Sequence, residues 1–209
     1  AFFAEDISFE TKDNPFEAVN EIYSAILGYK VNLFEKLNYS RVGETFEIDK
    51  KFDTVCYVDF ISKTDGSIIK VNGKTFGTAG FYSERGTAPL GILNEDMTVE
   101  ISGYDFEFWG LDLKLMEECF KEISKNVPEK IEANKGKIIL SGDAKGSYLV
   151  LSMPFYKDWL ISKGGDKSKL VPAFDNLTAV EMPFSDKSNL ELRYLPKGMN
   201  LGKIVTLTS

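Results

Sequence analysis

Leu149-Val-Leu-Ser-Met-Pro-Phe-Tyr-Lys-Asp-Trp-Leu-Ile-Ser162 is the stretch on which the reading of this chain turns. Apolar residues alternate there with small or polar ones around Pro154, as a strand, a turn and a second strand require. Farther on, Leu190, Leu192 and Tyr194 alternate strictly with Asn189, Glu191 and Arg193. That period of two predicts another strand with one covered face. The chain then meets Pro196-Lys197-Gly198 and turns apolar at Leu201, Ile204, Val205 and Leu207. A soluble domain rarely displays such a row, so residues 200–209 are expected to be a stub leading into a transmembrane helix outside the sequence.

Upstream the same rhythm recurs. From Gly43 to Tyr104, short strands are broken by turn residues. Thr54-Val-Cys-Tyr-Val-Asp-Phe-Ile61 reads as a buried strand and Thr64-Asp65-Gly66 as a turn. Ile68 to Phe76 reads as a hairpin, because Asn72-Gly73 tolerates the two positive φ angles of a type I′ turn. Met97-Thr-Val-Glu-Ile-Ser102 alternates and should be half exposed. Two segments break the pattern. Asn14 can cap a helix with Pro15 at its first position and Glu17 completing a capping box. Phe16, Val19, Tyr23, Ile26 and Leu27 then share one face, and Gly28 supplies the stop. Leu113, Met116, Phe120 and Ile123 mark a second amphipathic helix capped by Asp112, with Asn126-Val127-Pro128 at its end.

The expected fold is therefore mainly β, with antiparallel β-sandwich lobe(s) and two amphipathic helices packed on them. An N-terminal lobe is placed at 1–126, with helices near 15–27 and 112–124. A C-terminal antiparallel lobe follows at 127–199, with strands near 129–133, 137–141, 147–153, 158–163, 177–182 and 189–195. At 209 residues the chain is long enough for such cores without disulfide staples. Cys56 and Cys119, its only cysteines, are read as buried free thiols.

Composition excludes several chemistries. The net charge of −7 argues against nucleic acid, whose phosphates need a basic stripe. With no histidine, neither a Ser-His-Asp or Cys-His arrangement nor a His-based zinc site can form. No apolar run reaches the roughly 18–20 residues of a membrane span. Ala1-Phe-Phe-Ala lacks a basic leader, which for a membrane-protein fragment is read as trimming. Gly164-Gly165 sits in a hairpin-like context rather than a phosphate cradle, and no EF-hand spacing occurs. No cofactor, metal site or catalytic residue is assigned.

Carboxylates are plentiful at Glu95-Asp96, Asp105, Glu107, Asp112 and Glu117-Glu118. A pair about 5–9 Å apart would support glycoside hydrolysis. Solvated faces and caps are the simpler reading. Tyr104-Asp-Phe-Glu-Phe-Trp109 alternates rings with acids, as sugar sites do when a ring covers a C–H face and a carboxylate accepts hydroxyls. Tyr104 and Trp109 are therefore candidate ligand-binding residues, beside the alternative that Phe106, Phe108 and Trp109 are core. Tyr82 and Arg85, in Phe81-Tyr82-Ser-Glu-Arg85-Gly86, are candidates on a loop, with Arg85 suited to a phosphate. Trp159 is assigned to packing across a sheet. Asn38-Tyr-Ser40 and Asn176-Leu-Thr178 match the glycosylation acceptor pattern, a three-residue match that arises readily by chance.

Three blocks carry a family resemblance. Ser152-Met-Pro-Phe-Tyr-Lys-Asp-Trp159 resembles the SIPYD-GW segment of the bacterial YfhO-type polytopic membrane proteins. Leu192-Arg-Tyr-Leu-Pro-Lys-Gly-Met-Asn-Leu-Gly202 resembles their L-Y-PKG---G segment, which precedes the last membrane span. Asn14-Pro-Phe-Glu-Ala-Val-Asn20 resembles their NPFE-QN segment. The blocks fall in the family's order. Asp158 replaces a usual Gly, Gly164-Gly165-Asp166 replaces an Asp-Gly turn, and Val19 replaces Gln.

The resemblance implies a place and a role. The parent would be a glycosyltransferase of the bacterial cell membrane, using polyprenyl-phosphate sugars at the extracytoplasmic face to decorate cell-envelope polymers. Its acidic catalytic residue would lie in a loop between early spans, outside this chain. The domain would then be accessory, guiding an acceptor glycan or acting as a scaffold. Its implied partners are a cell-envelope glycan or polyprenyl-linked sugar, through the parent, and the membrane, through transmembrane helices missing here. Two alternatives remain: a structural or protein-interaction module without glycan affinity, and a carboxylate-dependent glycosidase.

Overall fold

The computed structural model describes residues 1–8, 12–61, 65–80, 86–101, 105–134, 137–141, 146–156, 159–163, 166–167, 169–181 and 190–194. In chain order the first elements are β1 (Phe2–Ala4), α1 (Pro15–Leu27), β2 (Phe34–Lys36), β3 (Tyr39–Val42), β4 (Thr45–Ile48) and β5 (Thr54–Phe60). Next come β6 (Asp65–Val71), β7 (Lys74–Gly80), β8 (Gly86–Ile92), β9 (Met97–Glu100), β10 (Phe106–Asp112) and α2 (Leu113–Lys125). The remainder is β11 (Lys130–Asn134), β12 (Lys137–Ser141), β13 (Tyr148–Pro154), β14 (Trp159–Lys163), β15 (Asp166–Lys167), β16 (Leu170–Ala173), β17 (Leu177–Glu181) and β18 (Leu190–Tyr194). The fold is mainly β, as expected, and every described strand pairing is antiparallel.

Two compact units form. One comprises Ala1–Thr11, Glu21–Lys30 and Cys119–Ser209; the other comprises Lys12–Asn20 and Val31–Glu118. The sequence suggested a single cut after residue 126. The structure groups the chain's start with its later strands because β1 pairs with β13, Phe3 opposite Leu149. Residues 200–209, the expected stub, lie outside the described residues. Among the described residues, no helix is long and apolar enough to cross a membrane.

The unit built on Val31–Glu118 is a sandwich. Its sheets have the orders β2-β10-β5-β8 and β3-β4-β9-β6-β7. Alternation puts Cys56, Val58, Phe60 and Phe108 of the first against Phe46, Ile48, Ile69 and Val99 of the second. Phe60 and Phe108 are fully buried, each worth about 1.5–3 kcal/mol of transfer free energy. The predicted hairpin is present: Asn72 and Gly73 have φ 50° and 73°, the twist a type I′ turn requires. Asn72 also joins β9, its Oδ1 accepting from the Thr98 N–H at 2.9 Å. Gly110 of β10 is a close approach, since a Cβ there would lie 2.8 Å from both Leu37 and Thr54 side-chain carbons.

The other unit is a second sandwich, with sheets β1-β13-β17-β16 and β11-β12-β18-β14-β15. Phe3, Leu149, Leu151 and Val180 meet Leu140, Ile161, Leu190 and Leu192 in its core. The strict alternation at residues 190–193 follows from this, because Leu190 and Leu192 are buried while Arg193 is exposed. The two strands of the opening stretch, β13 and β14, sit in different sheets rather than forming a hairpin. Pro154 ends β13 at a register shift, where the Thr178 hydroxyl donates to its carbonyl at 2.9 Å. On the other face of that first sheet, Ala4, Val150 and Ala179 pack with Ile22, Ala25 and Ile26 of α1 and Ile123 of α2.

Both helices begin and end as their residues dictate. Asn14 Oδ1 accepts from the N–H groups of Phe16 (2.9 Å) and Glu17 (3.2 Å), filling two of the orphan donors of a helix start. Gly28 takes φ 75° past the last turn. Asp112 Oδ1 accepts from the Leu115 N–H at 2.9 Å, so it caps α2.

Candidate functional site

Asn14, Phe16 and Asn20 fasten the start of α1 to the β2-β10-β5-β8 sheet. Besides capping, Asn14 donates its Nδ2–H to Asp59 Oδ2 at 3.1 Å, and Asp59 is wholly buried on β5. Phe16 lies among Phe34 (4.7 Å between ring centroids), Trp109 (5.4 Å) and Tyr57 (5.6 Å). Asn20 treats β2 as a strand partner would. Its Oδ1 accepts from the Phe34 N–H and its Nδ2–H donates to the Phe34 carbonyl, both at 2.8 Å. These bonds fix β2 at the sheet edge, and β2 ends at Lys36.

Lys36 opens onto a pocket of about 470 Å³, lined by Lys36, Tyr39, Arg41, Phe46, Ile61, Ile101, Asp105, Phe106 and Glu107. The floor is apolar: Phe46 and Ile101 are buried, and Phe106 stands edge-on to Phe46 at 4.8 Å. Tyr39 forms a wall, edge-on to Phe46 at 5.6 Å and to Phe108 at 5.3 Å. The rim is charged. Lys36 Nζ pairs with a carboxylate oxygen of Glu107. The Arg41 guanidinium lies 5.2 Å above the Phe46 ring, while its Nε–H donates to the Gly43 carbonyl at 2.9 Å. Asp105 is exposed and lines the pocket, and its backbone carbonyl accepts from the Ile61 N–H at 2.9 Å.

An apolar ring surface edged by hydrogen-bonding charges suits a hydroxylated, partly apolar small molecule better than a lipid tail or a bare ion. Among the described residues no group of three or more Cys, Asp or Glu is placed to hold a metal. Both cysteines are buried thiols outside any disulfide. Burial pushes the Cys56 thiol up to about 12, which keeps it a protonated core group.

The predicted site residues fall differently. Tyr82, Arg85 and Tyr104 lie outside the described residues. Trp109 is 6% exposed, stacked on Phe16, and does not line the pocket. Its Nε1–H is buried without a hydrogen-bond partner among the described residues. The same alternating run nevertheless supplies Asp105, Phe106 and Glu107 to the pocket. Lys36, Tyr39, Arg41 and Phe46 were missed. They come from three short strands, and only the pairing of β3 with β4, Arg41 opposite Phe46, brings the cation to its ring.

Comparison with known proteins gives one strong result. The family model described as "Bacterial membrane protein YfhO" matches residues 11–206. No curated protein matches. Among solved structures, a conserved protein of unknown function from Pseudomonas aeruginosa PAO1 shares 10% identity, with 77% of this chain and 92% of that chain covered. Its TM-score of 0.22 is too low for that likeness to bear on the fold.

Proposed function

Because the chain belongs to the YfhO family of bacterial membrane proteins, we propose that it is an extracytoplasmic accessory part of its parent protein, holding an acceptor glycan for glycosyl transfer. In this reading the parent uses a polyprenyl-phosphate sugar to modify cell-envelope polymers, and the reacting groups lie outside these residues. The supporting observation is the pocket, where Tyr39 and Phe106 offer ring surface and Asp105 and Glu107 offer hydroxyl acceptors at its edge. Aromatic faces take the C–H side of a sugar while carboxylates take its hydroxyls. The scaffold alternative is less well supported. Exposed Val42, on β3, lies at one edge of its sheet, and exposed Ile68 and Phe76, on β6 and β7, lie toward the other.

The test is titration of the 209-residue chain with oligosaccharides released from bacterial envelope polymers, followed by amide chemical shifts. Shifts confined to residues 36–46 and 105–107, and lost in Asp105→Ala and Tyr39→Ala, are expected. No binding, or binding indifferent to both variants, refutes the reading. Placement is tested separately in the full-length parent: Val42→Cys, at a 66% exposed position, should react with a membrane-impermeant thiol reagent in intact cells.

A further inference from the structure

We infer that the pocket selects an anionic sugar, whose charged group is held end-on by Arg41 and whose ring hydroxyls donate to Asp105. This rests on the glycan reading above and goes further, by naming the substituent the glycan must carry. The argument is one of charges already spent and charges still available. Lys36 and Glu107 neutralise each other across β2 and β10. Arg41 and Asp105, by contrast, make no ion pair among the described residues, although both line the same cavity.

Arg41 is also held in advance. Its guanidinium is stacked on Phe46 and its Nε–H is committed to the Gly43 carbonyl, so much of its rotamer freedom is gone before a ligand arrives. With Nε occupied, the outer edge carrying the two terminal amino groups remains. That edge is a planar fork matched to a carboxylate or a phosphate, a match a lysine ammonium cannot make. Stacking on an aromatic ring further suits Arg, whose weakly hydrated cation loses little by leaving water on one side. Asp105 accepts only, so it takes ring hydroxyls rather than the anion. Phe106, only partly buried, offers the ring face in the same pocket.

The test compares methyl glucoside, glucuronate, glucose 6-phosphate, and inorganic phosphate or acetate alone, by amide shift titration of the 209-residue chain. Either acidic sugar is expected to bind about tenfold or more tighter than methyl glucoside, the scale of one charge-assisted bidentate contact. The arm that binds identifies the anion as carboxylate or phosphate. Arg41→Gln, and also Arg41→Lys, should erase the preference for the acidic sugars over methyl glucoside. Asp105→Asn should weaken all three sugars together and serves as a second, independent variant. Equal binding of neutral and acidic sugars overturns the anion inference and leaves the glycan reading standing. Inorganic phosphate or acetate binding as tightly as the acidic sugar also overturns it. No binding by any sugar removes both.

Discussion

Asn14→Asp is the sharpest perturbation the structure offers, because a helix cap alone would tolerate it. Asp and Asn cap helices about equally well, so an isolated α1 would lose nothing. Here, however, Asn14 also donates to the wholly buried Asp59 at 3.1 Å. Asp cannot donate, and the lost charge-assisted hydrogen bond costs about 1.5–3 kcal/mol. Two carboxylates at that 3.1 Å spacing would further repel by roughly 5 kcal/mol at an effective dielectric of about 20, part of which relaxes as the side chains part. A net loss of about 3 kcal/mol or more is expected at neutral pH. Asn14→Ser keeps the cap and adds no charge, so it isolates the lost donor. Asp59→Asn in the Asn14→Asp background reverses the donor and acceptor and should recover at least about 1 kcal/mol beyond additivity. The assay is urea unfolding of wild type, Asn14→Asp, Asn14→Ser, Asp59→Asn and the double variant followed by tryptophan fluorescence, since Trp109 stacks on Phe16 two residues from the cap. A wild-type midpoint for Asn14→Asp would refute the argument.

Other outcomes follow from the same packing. Burial holds the Cys56 thiol at about 12, above its ordinary 9.0. The folded state thus keeps a proton that the unfolded state releases, so this contribution is complete below pH 9 and declines as pH rises toward 12. Wild type should lose up to about 1.4 kcal/mol per pH unit more than Cys56→Ala in that window. Equal slopes in alkaline urea titrations would contradict it. Gly110→Ala places a methyl 2.8 Å from Leu37 and Thr54 and should cost about 1–3 kcal/mol, measured by the same unfolding. Trp109→Phe gives up no hydrogen bond, since the indole N–H has no partner among the described residues, and should cost clearly less than the roughly 3–5 kcal/mol of Trp109→Ala. Equal losses in the two Trp109 variants would show that the N–H matters.

Features decided by adjacent residues were legible in the sequence. Asn14-Pro15 and Gly28 bound α1, Asn72-Gly73 turns its hairpin, and Leu190 with Leu192 marks a covered strand face. In each case the information lies within a few residues, as a cap, a positive φ or a period of two. The pocket was only half legible. Asp105, Phe106 and Glu107 stood out as alternating rings and acids, but their partners Lys36 and Arg41 belong to strands of three and four residues. Such short edge strands carry no period to detect. β1 escaped for the same reason. Trp109 shows the converse limit, because the alternation that flags a ring cannot say which face of the strand a helix will cover. Phe16 covers this one.

The pairing of Phe2–Ala4 with Tyr148–Val150 constrains how the polypeptide is assembled as it is made. Synthesis delivers the first strand long before its partner, and β13 in turn needs β17, which ends at Glu181. Every pairing of the Val31–Glu118 sandwich, by contrast, is complete once Asp112 has emerged. That inner sandwich can close early, while the leading strand waits unpaired as an apolar edge open to wrong partners. A nascent chain with residue 118 just clear of the ribosome would therefore carry one finished sandwich and one orphaned strand.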